Sequence, residues 1–401
     1  MSHFAVLVVG GNVEEQLAPY HEFECTGDDN CYVQDVDQTE EALAEFQKAM
    51  TARYKDPEGN FHDPFTPEGD WDVRFWRELT PEEELKYGTK GLYRDHDEKE
   101  YGLRLYSADW HDGKGYRTRA FAWPSEGWSE VEVPRGTVGS FAEFCEDYYG
   151  HKVVPFGQEP DFSANHHKYG YTLVDENGEV VKTIDRTNPN KKWDWYEVGG
   201  RWNGFFKLKP LAVGLLGKPG IQTMDKGYEP PTLDRADACL KGDIDVEGMR
   251  DEAAKTAAEE YDLFARVTAG LPKHLSWDEV KEQNRTGETN KLGEFEVDYK
   301  VAREEYNSQP AVEALRKNDA TAWFEADKFL VTFEQYVQRA RDSALTTFAI
   351  LKDGKWYERG EMGWWGIVSN EQDRDEWNAQ FSRLIDGLPD STLLSVVDCH
   401  I

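Results

Sequence analysis

Positive charge is what this chain has least of. Lys and Arg number 46 against 78 Asp and Glu, for a formal net charge of −32. That deficit excludes general binding to DNA or RNA, whose affinity comes largely from basic side chains displacing counterions. It keeps a chain soluble while opposing compaction by self-repulsion. Long apolar runs are missing too: no stretch approaches the ~20 apolar residues that cross a bilayer, so no membrane partner is expected. The opening MSHFAVLVVGG has no basic flank and no small-residue cleavage site, and reads as a strand rather than a signal peptide. The five cysteines (Cys25, Cys31, Cys145, Cys239, Cys399) are scattered and lack CxxC spacing, as expected of reduced thiols in a cytoplasmic protein. Phosphate-loop, GxGxxG and GxSxG signatures are absent, which takes most of the support from the common ATPase, Rossmann oxidoreductase and serine-hydrolase readings.

Aromatic side chains are plentiful: 14 Trp, 19 Tyr and 20 Phe, enough with the aliphatic residues to build a sizeable interior and to exclude a disordered acidic chain. Phe4–Val9 and Leu393–Cys399 are apolar runs of strand length, expected as neighbours in one sheet. Asn177-Gly178 and Asp353-Gly354 sit between apolar arms and predict hairpins with type I′ turns. Apolar residues at helical spacing predict helices through Met249–Phe264, Phe333–Ala344 and Trp377–Leu388, and a helical stretch over 293–318 that Pro310 interrupts. Strands and helices without a βαβα rhythm predict an α+β fold, with a mixed or antiparallel sheet holding both chain ends. Residues 53–135, poor in Ile, Val and Leu, read as an inserted subdomain or lid. The main domain is then 1–52 plus 136–401, with a helical region at about 244–345. A short similarity between Trp195-Tyr196-Glu197-Val198-Gly199 and Trp356-Tyr357-Glu358-Arg359-Gly360 raises an internal duplication.

Two constellations could carry chemistry. Lys182–Lys209 gathers seven basic residues (182, 186, 191, 192, 201, 207, 209) against three acids (185, 194, 197), interleaved with Trp193, Trp195, Tyr196, Trp202, Phe205 and Phe206. Flat rings stack on planar ligands, and guanidinium groups pair with phosphate or carboxylate. Arg201 and Lys192 would then meet an anion, Trp202 and Trp195 would stack on its planar part, and Gly199 and Gly200 would allow close backbone approach. Trp364 and Trp365 add to the set through the internal similarity. The alternative is structural: the rings pack in a core, Arg201 pairs with an acid such as Glu197 or Glu361, and Gly199-Gly200 is a bulge. The second constellation joins the chain ends. Antiparallel pairing would bring His3 toward Asp398 and His400, residue types that ligate zinc, with His21, Glu22, Glu24 and Cys25 as additions, though no ligand spacing supports a metal. His166-His167 read as loop residues, Asp194 as an ordinary surface acid, and Asp28, Asp29, Asp35 and Asp37 as a turn rather than a calcium loop.

On residues 1–27 (MSHFAVLVVGGNVEEQLAPYHEFECTG), Lys192–Pro210, Lys352–Val368 and the closing VVDCHI, the chain resembles a family of uncharacterised proteins of tailed bacteriophages. The resemblance implies an accessory protein of the host bacterial cytoplasm, with no activity or cofactor to carry over. Three functions are therefore expected in competition. The first is capture of a nucleotide-like or other anionic small ligand, as in counter-defence; the second is inhibition of a basic host protein through an acidic, nucleic-acid-like surface; the third is metal-dependent hydrolysis at the junction of the chain ends.

Overall fold

The computed structural model describes residues 2–65, 77–83, 104–111, 116–123, 127–163, 166–220, 229–289, 295–363 and 366–401. The protein is α+β, and its contacts divide it into two compact units, one of residues 1–26 and 188–401, the other of Gly27–Thr187.

The first unit is built on the two chain ends. β1 (His3–Val9) lies antiparallel to a strand at Leu393–His400, with His3 opposite His400 and Val9 opposite Leu394. Both are buried almost throughout, as their unbroken apolar runs require. In chain order the other strands of this sheet longer than two residues are β2 (Trp195–Gly200), β3 (Ala238–Leu240), β4 (Ala349–Lys352) and β5 (Lys355–Glu358), which makes Leu393–His400 β6. β4 runs parallel to β1, and β5 returns from it through Asp353 and Gly354 at φ +53° and +69°. Both central residues are left-handed, as a type I′ turn demands. The outer edge of β6 is shared: Leu393–Ser395 pair with β3, and Val397–His400 pair with β2.

Alternation along these strands makes two cores. Leu7, Val9, Ile350, Leu394 and Val396 face α1 (Val246–Val267) and α3 (Arg374–Gly387), whose Met249, Trp377, Phe381 and Ile385 are buried against them. Phe4, Val6, Val8, Leu351, Val397 and Cys399 face the other way, onto Leu17 and Trp193. α2 (Phe333–Ser343) is closed at its start by a capping box between Thr332 and Gln335. The stretch broken by proline is two helices, Tyr299–Ser308 and Pro310–Lys317, with Pro310 in the first turn of the second.

In the second unit, four strands pair in the order Gln34–Asp37, Val180–Thr187, Gly170–Val174, Val153–Val154. Met50–Lys55 lies between Phe61–His62 and Ser129–Pro134 in a second sheet, and Arg104–His111 pairs with Tyr116–Trp123 in a third. The segment 53–135, expected as an insertion, falls within this unit. Its hairpin at Asn177-Gly178 differs from the expected turn: only Gly178 has positive φ. Asp175 Oδ1 accepts the N–H groups of Asn177 and Glu179, and the ladder slips between Leu173 and Val174. An aspartate at the turn entrance offers the backbone this alternative closure.

Among the described residues, no helix is long and apolar enough to cross a membrane.

A candidate proton-transfer and anion site at one end of the sheet

The face of the sheet that is apolar under α1 and α3 turns polar at its far end. Continuing the alternation Leu7, Ala5, His3 on β1 and Val396, Asp398, His400 on β6 carries it from aliphatic side chains to two imidazoles and a carboxylate. β2 adds Trp195 opposite His400 and Glu197 opposite Asp398.

Each imidazole is held by its own acid. His3 Nδ1 lies 2.9 Å from Asp398 Oδ1, and His400 Nδ1 lies 2.7 and 2.8 Å from the two oxygens of Asp194. Asp398 is wholly buried, and the side chains of His3 and His400 are 12% and 6% exposed. A carboxylate facing Nδ1 fixes the proton there and leaves the Nε2 lone pair outward, the arrangement found behind catalytic and metal-bound histidines. Neither Nε2 has a hydrogen-bond partner among the described residues. The two rings meet edge to face at 4.9 Å, and Trp195 stacks on His400 at 5.6 Å with its edge toward His3.

The segment after β2 wraps the same acid. Gly199 and Gly200 have φ of +83° and +53°, and a Cβ on either would collide with a carboxylate: Asp237 at Gly199, Asp398 at Gly200. The close approach that these glycines permit is to buried acids of the protein itself. Beyond them the Arg201 N–H donates to Asp398 Oδ2 at 2.9 Å, so one carboxylate joins His3 to the Arg201 turn. Asp237, also wholly buried, accepts from Asn203 Nδ2, Gly204 N, Phe205 N and Gly217 N at 2.6–3.1 Å. The two constellations of the sequence thus meet at Asp398.

The basic stretch itself is largely spent. Lys182 pairs with Asp37, and Arg186 pairs with Asp29 and Asp35 while lying over the Phe162 ring; both belong to the second unit. In the first unit Lys191 pairs with Glu22 and Glu24, Lys192 with Glu358 at 2.6 Å, and Lys207 with Glu252 and Asp245, while Lys209 donates to the Gly242 carbonyl. Arg201 alone of the seven is exposed with neither an ion pair nor a side-chain hydrogen bond among the described residues. Glu197, its expected partner, pairs with Lys218. Trp202 is half-buried and packs against the α1–α3 core, whereas Trp195 is 44% exposed. Trp364 and Trp365 lie outside the described residues; Gly363 and Gly366 on either side are both hydrogen-bonded to Ser2 Oγ, next to His3. Two clefts border α2, and neither is lined by Arg201, Trp195 or Trp202.

His21, Glu22, Glu24 and Cys25 gather beside Asp194, His21 through the Asp194 carbonyl at 3.2 Å. Partial desolvation, the Glu22 carboxylate 3.5 Å from its Sγ and the Asp194 charge push the Cys25 thiol up to about 12, so it is no thiolate nucleophile at neutral pH. Burial drives Cys399 upward as well. Among the described residues, no three His, Cys, Asp or Glu side chains are placed to share a metal ion. Asp194, expected as a surface acid, instead holds His400, and Asp237 was not singled out at all. The latter's only signal was an acid among small and apolar residues in Ala236-Asp237-Ala238-Cys239.

No family model, curated protein or solved structure matches the chain. The function must be read from the site.

Proposed function

We propose that the His3–His400 end of the sheet binds a small anionic ligand with a flat, nucleotide-like part and exchanges protons with it. The observation that carries this is a pair of touching imidazoles, each tied through Nδ1 to its own carboxylate, beside an exposed and unpaired arginine. Arg201 supplies the charge for the anion, and the exposed face of Trp195 supplies a stacking surface. Each Nε2 can take a proton from the ligand while Asp398 or Asp194 balances the imidazolium that forms. Without those protons the two carboxylates outweigh Arg201, so an anion is best received together with protons. In the tailed-phage setting that the sequence resembles, such a site would capture or process a host nucleotide-like signal in the bacterial cytoplasm, a counter-defence role.

The test is a nucleotide panel followed by Trp fluorescence and melting temperature. A ligand present at 100 times its Kd stabilises the folded state by about 2.7 kcal/mol, easily read as a rise in Tm. Arg201→Ala should remove that rise. An unresponsive panel, or an equal response in Arg201→Ala, rejects the reading.

The net charge of −32 favours a second reading, capture of a basic host protein by the acidic surface. Its mark is salt: exposed charges are screened beyond about 8–10 Å at physiological ionic strength, so capture from lysate should collapse between low and high salt. A salt-insensitive partner, or none, removes it.

A further inference from the structure

The chain leaving α1 turns through Thr268–His274 and borders a cleft of about 610 Å³, shared with the 3-10 turn Ala326–Phe329 and the start of α2. That volume lies within the range of small-molecule sites. Its wall is aromatic. The rings of Phe264 and Phe329 stack 4.4 Å apart and nearly parallel, and Tyr261 meets Phe333 edge-on at 5.5 Å.

Two polar groups on this wall, His274 and Lys273, are only weakly engaged inside the protein. The His274 side chain is 1% exposed and its Nε2 lies 3.5 Å from Asp327 Oδ1, yet neither ring nitrogen makes a well-aligned hydrogen bond. Asp327 and the Ala326 backbone are its near neighbours. The Asp327 carboxylate stands 3.5 Å from Nε2 and is already engaged, accepting from Tyr306 Oη and the Trp277 N–H at 2.7 Å each. Buried polar groups without partners are rare in folded proteins and call for an explanation. Beside it, Lys273 is exposed and makes no ion pair among the described residues. In a chain with 78 acids, this lysine sets a positive charge at the lip of an aromatic cleft. Burial lowers the pKa of the ring although the Asp327 charge opposes it, and a neutral ring offers one N–H donor and one bare acceptor.

We infer that this cleft binds a planar organic anion, an aromatic carboxylate or sulfonate whose rings lie on the Phe264–Phe329 wall, whose charge meets Lys273, and which hydrogen-bonds to His274. It is separate from the sheet-end site and stands whether or not that site binds nucleotides.

The full-length chain would be titrated with 1-anilinonaphthalene-8-sulfonate, and in parallel with uncharged 1-anilinonaphthalene. A saturable sulfonate site is expected in the Arg201→Ala protein, whose sheet-end charge is removed, as in the parent. Lys273→Glu should weaken it at least tenfold while leaving the uncharged probe's affinity within twofold. His274→Phe should weaken the sulfonate several-fold. Arg201→Ala should change neither. Absence of saturable binding, equal sulfonate affinity in Lys273→Glu, or loss of binding in Arg201→Ala would overturn the proposal. Lys273 is exposed, so its variant folds and decides the question even if His274→Phe does not.

Discussion

Gly199 and Gly200 each look onto a buried aspartate, and the two aspartates are completed in different ways. Asp237 accepts four N–H groups, three from backbone and one from Asn203, and touches no titratable partner among those bonds. Asp398 accepts one backbone N–H, from Arg201, and spends its other oxygen on the His3 imidazole. A buried carboxylate must be compensated, but the kind of compensation decides what it can do. Fixed backbone donors saturate Asp237 and make it scaffold, the pin that shapes residues 199–217. An imidazole that can gain a proton leaves Asp398 able to answer a change of charge next to it.

Removing Asp237 should therefore be among the most damaging single changes to the fold. Asp237→Ala leaves three backbone donors without an acceptor and Asn203 with only its bond to the Gly217 carbonyl, at a cost of about 3–5 kcal/mol. Asp237→Asn should recover only part of that, because its amide N–H₂ faces donors. Circular dichroism on heating would show the loss. A variant melting within a few degrees of the parent would mean that the segment 199–217 does not depend on this acid.

Asp398→Asn is milder for the fold and more telling for the site. Asparagine keeps the volume and can still accept from Arg201, so about 1–2 kcal/mol is expected from the altered His3 contact. The His3 ring loses the carboxylate that holds its proton on Nδ1, and nitrogen-detected NMR of the imidazoles should show a mixture of tautomers at His3 with His400 unchanged. If both rings keep one tautomer, Asp398 does not orient His3 and the two aspartates are alike after all.

How much of this was legible follows from how far apart the partners lie in the chain. The pairing of β1 with β6, and so the meeting of His3 and His400, could be read because each run is apolar over a strand's length and the register places their ends together. The type I′ turn at Asp353-Gly354 and the helix break at Pro310 are local chemistry and were equally legible. The Asn177-Gly178 turn was not, because Asp175 two residues earlier offered a competing closure. The basic stretch misled for a long-range reason: Lys192 finds Glu358 and Arg186 finds Asp29 across more than 150 residues, and no local pattern announces such pairs. Asp194 looked like any surface acid until β2 docked on β6 and brought it to His400. The two WYE segments lie on opposite sides of the central strands, yet the first has a further strand at Lys218–Pro219 beside it and the hairpin preceding it belongs to the other unit.

The smallest effect on the fold is expected at Trp195, and there the contrast between scaffold and site becomes sharpest. Its ring is 44% exposed and contributes to neither core, in contrast with Trp193 two residues earlier, which is 7% exposed and donates to the Leu17 carbonyl. Trp193→Ala opens a cavity against Leu17 and Val397 and should cost about 3–5 kcal/mol, in line with large-to-small changes of buried aromatics. Trp195→Ala removes only a half-open stacking contact with His400, worth about 0.5–1.5 kcal/mol. Its consequence should instead fall on recognition: base–aromatic stacking contributes about 1–3 kcal/mol, so any nucleotide that raises the melting temperature of the parent should bind roughly 5- to 150-fold more weakly. A Trp195→Ala protein that keeps both its stability and its ligand affinity would show the ring to be a bystander and leave the imidazole pair to act alone. One that loses stability as heavily as Trp193→Ala would make this end of the sheet scaffold too, and erase the distinction on which the proposed site rests.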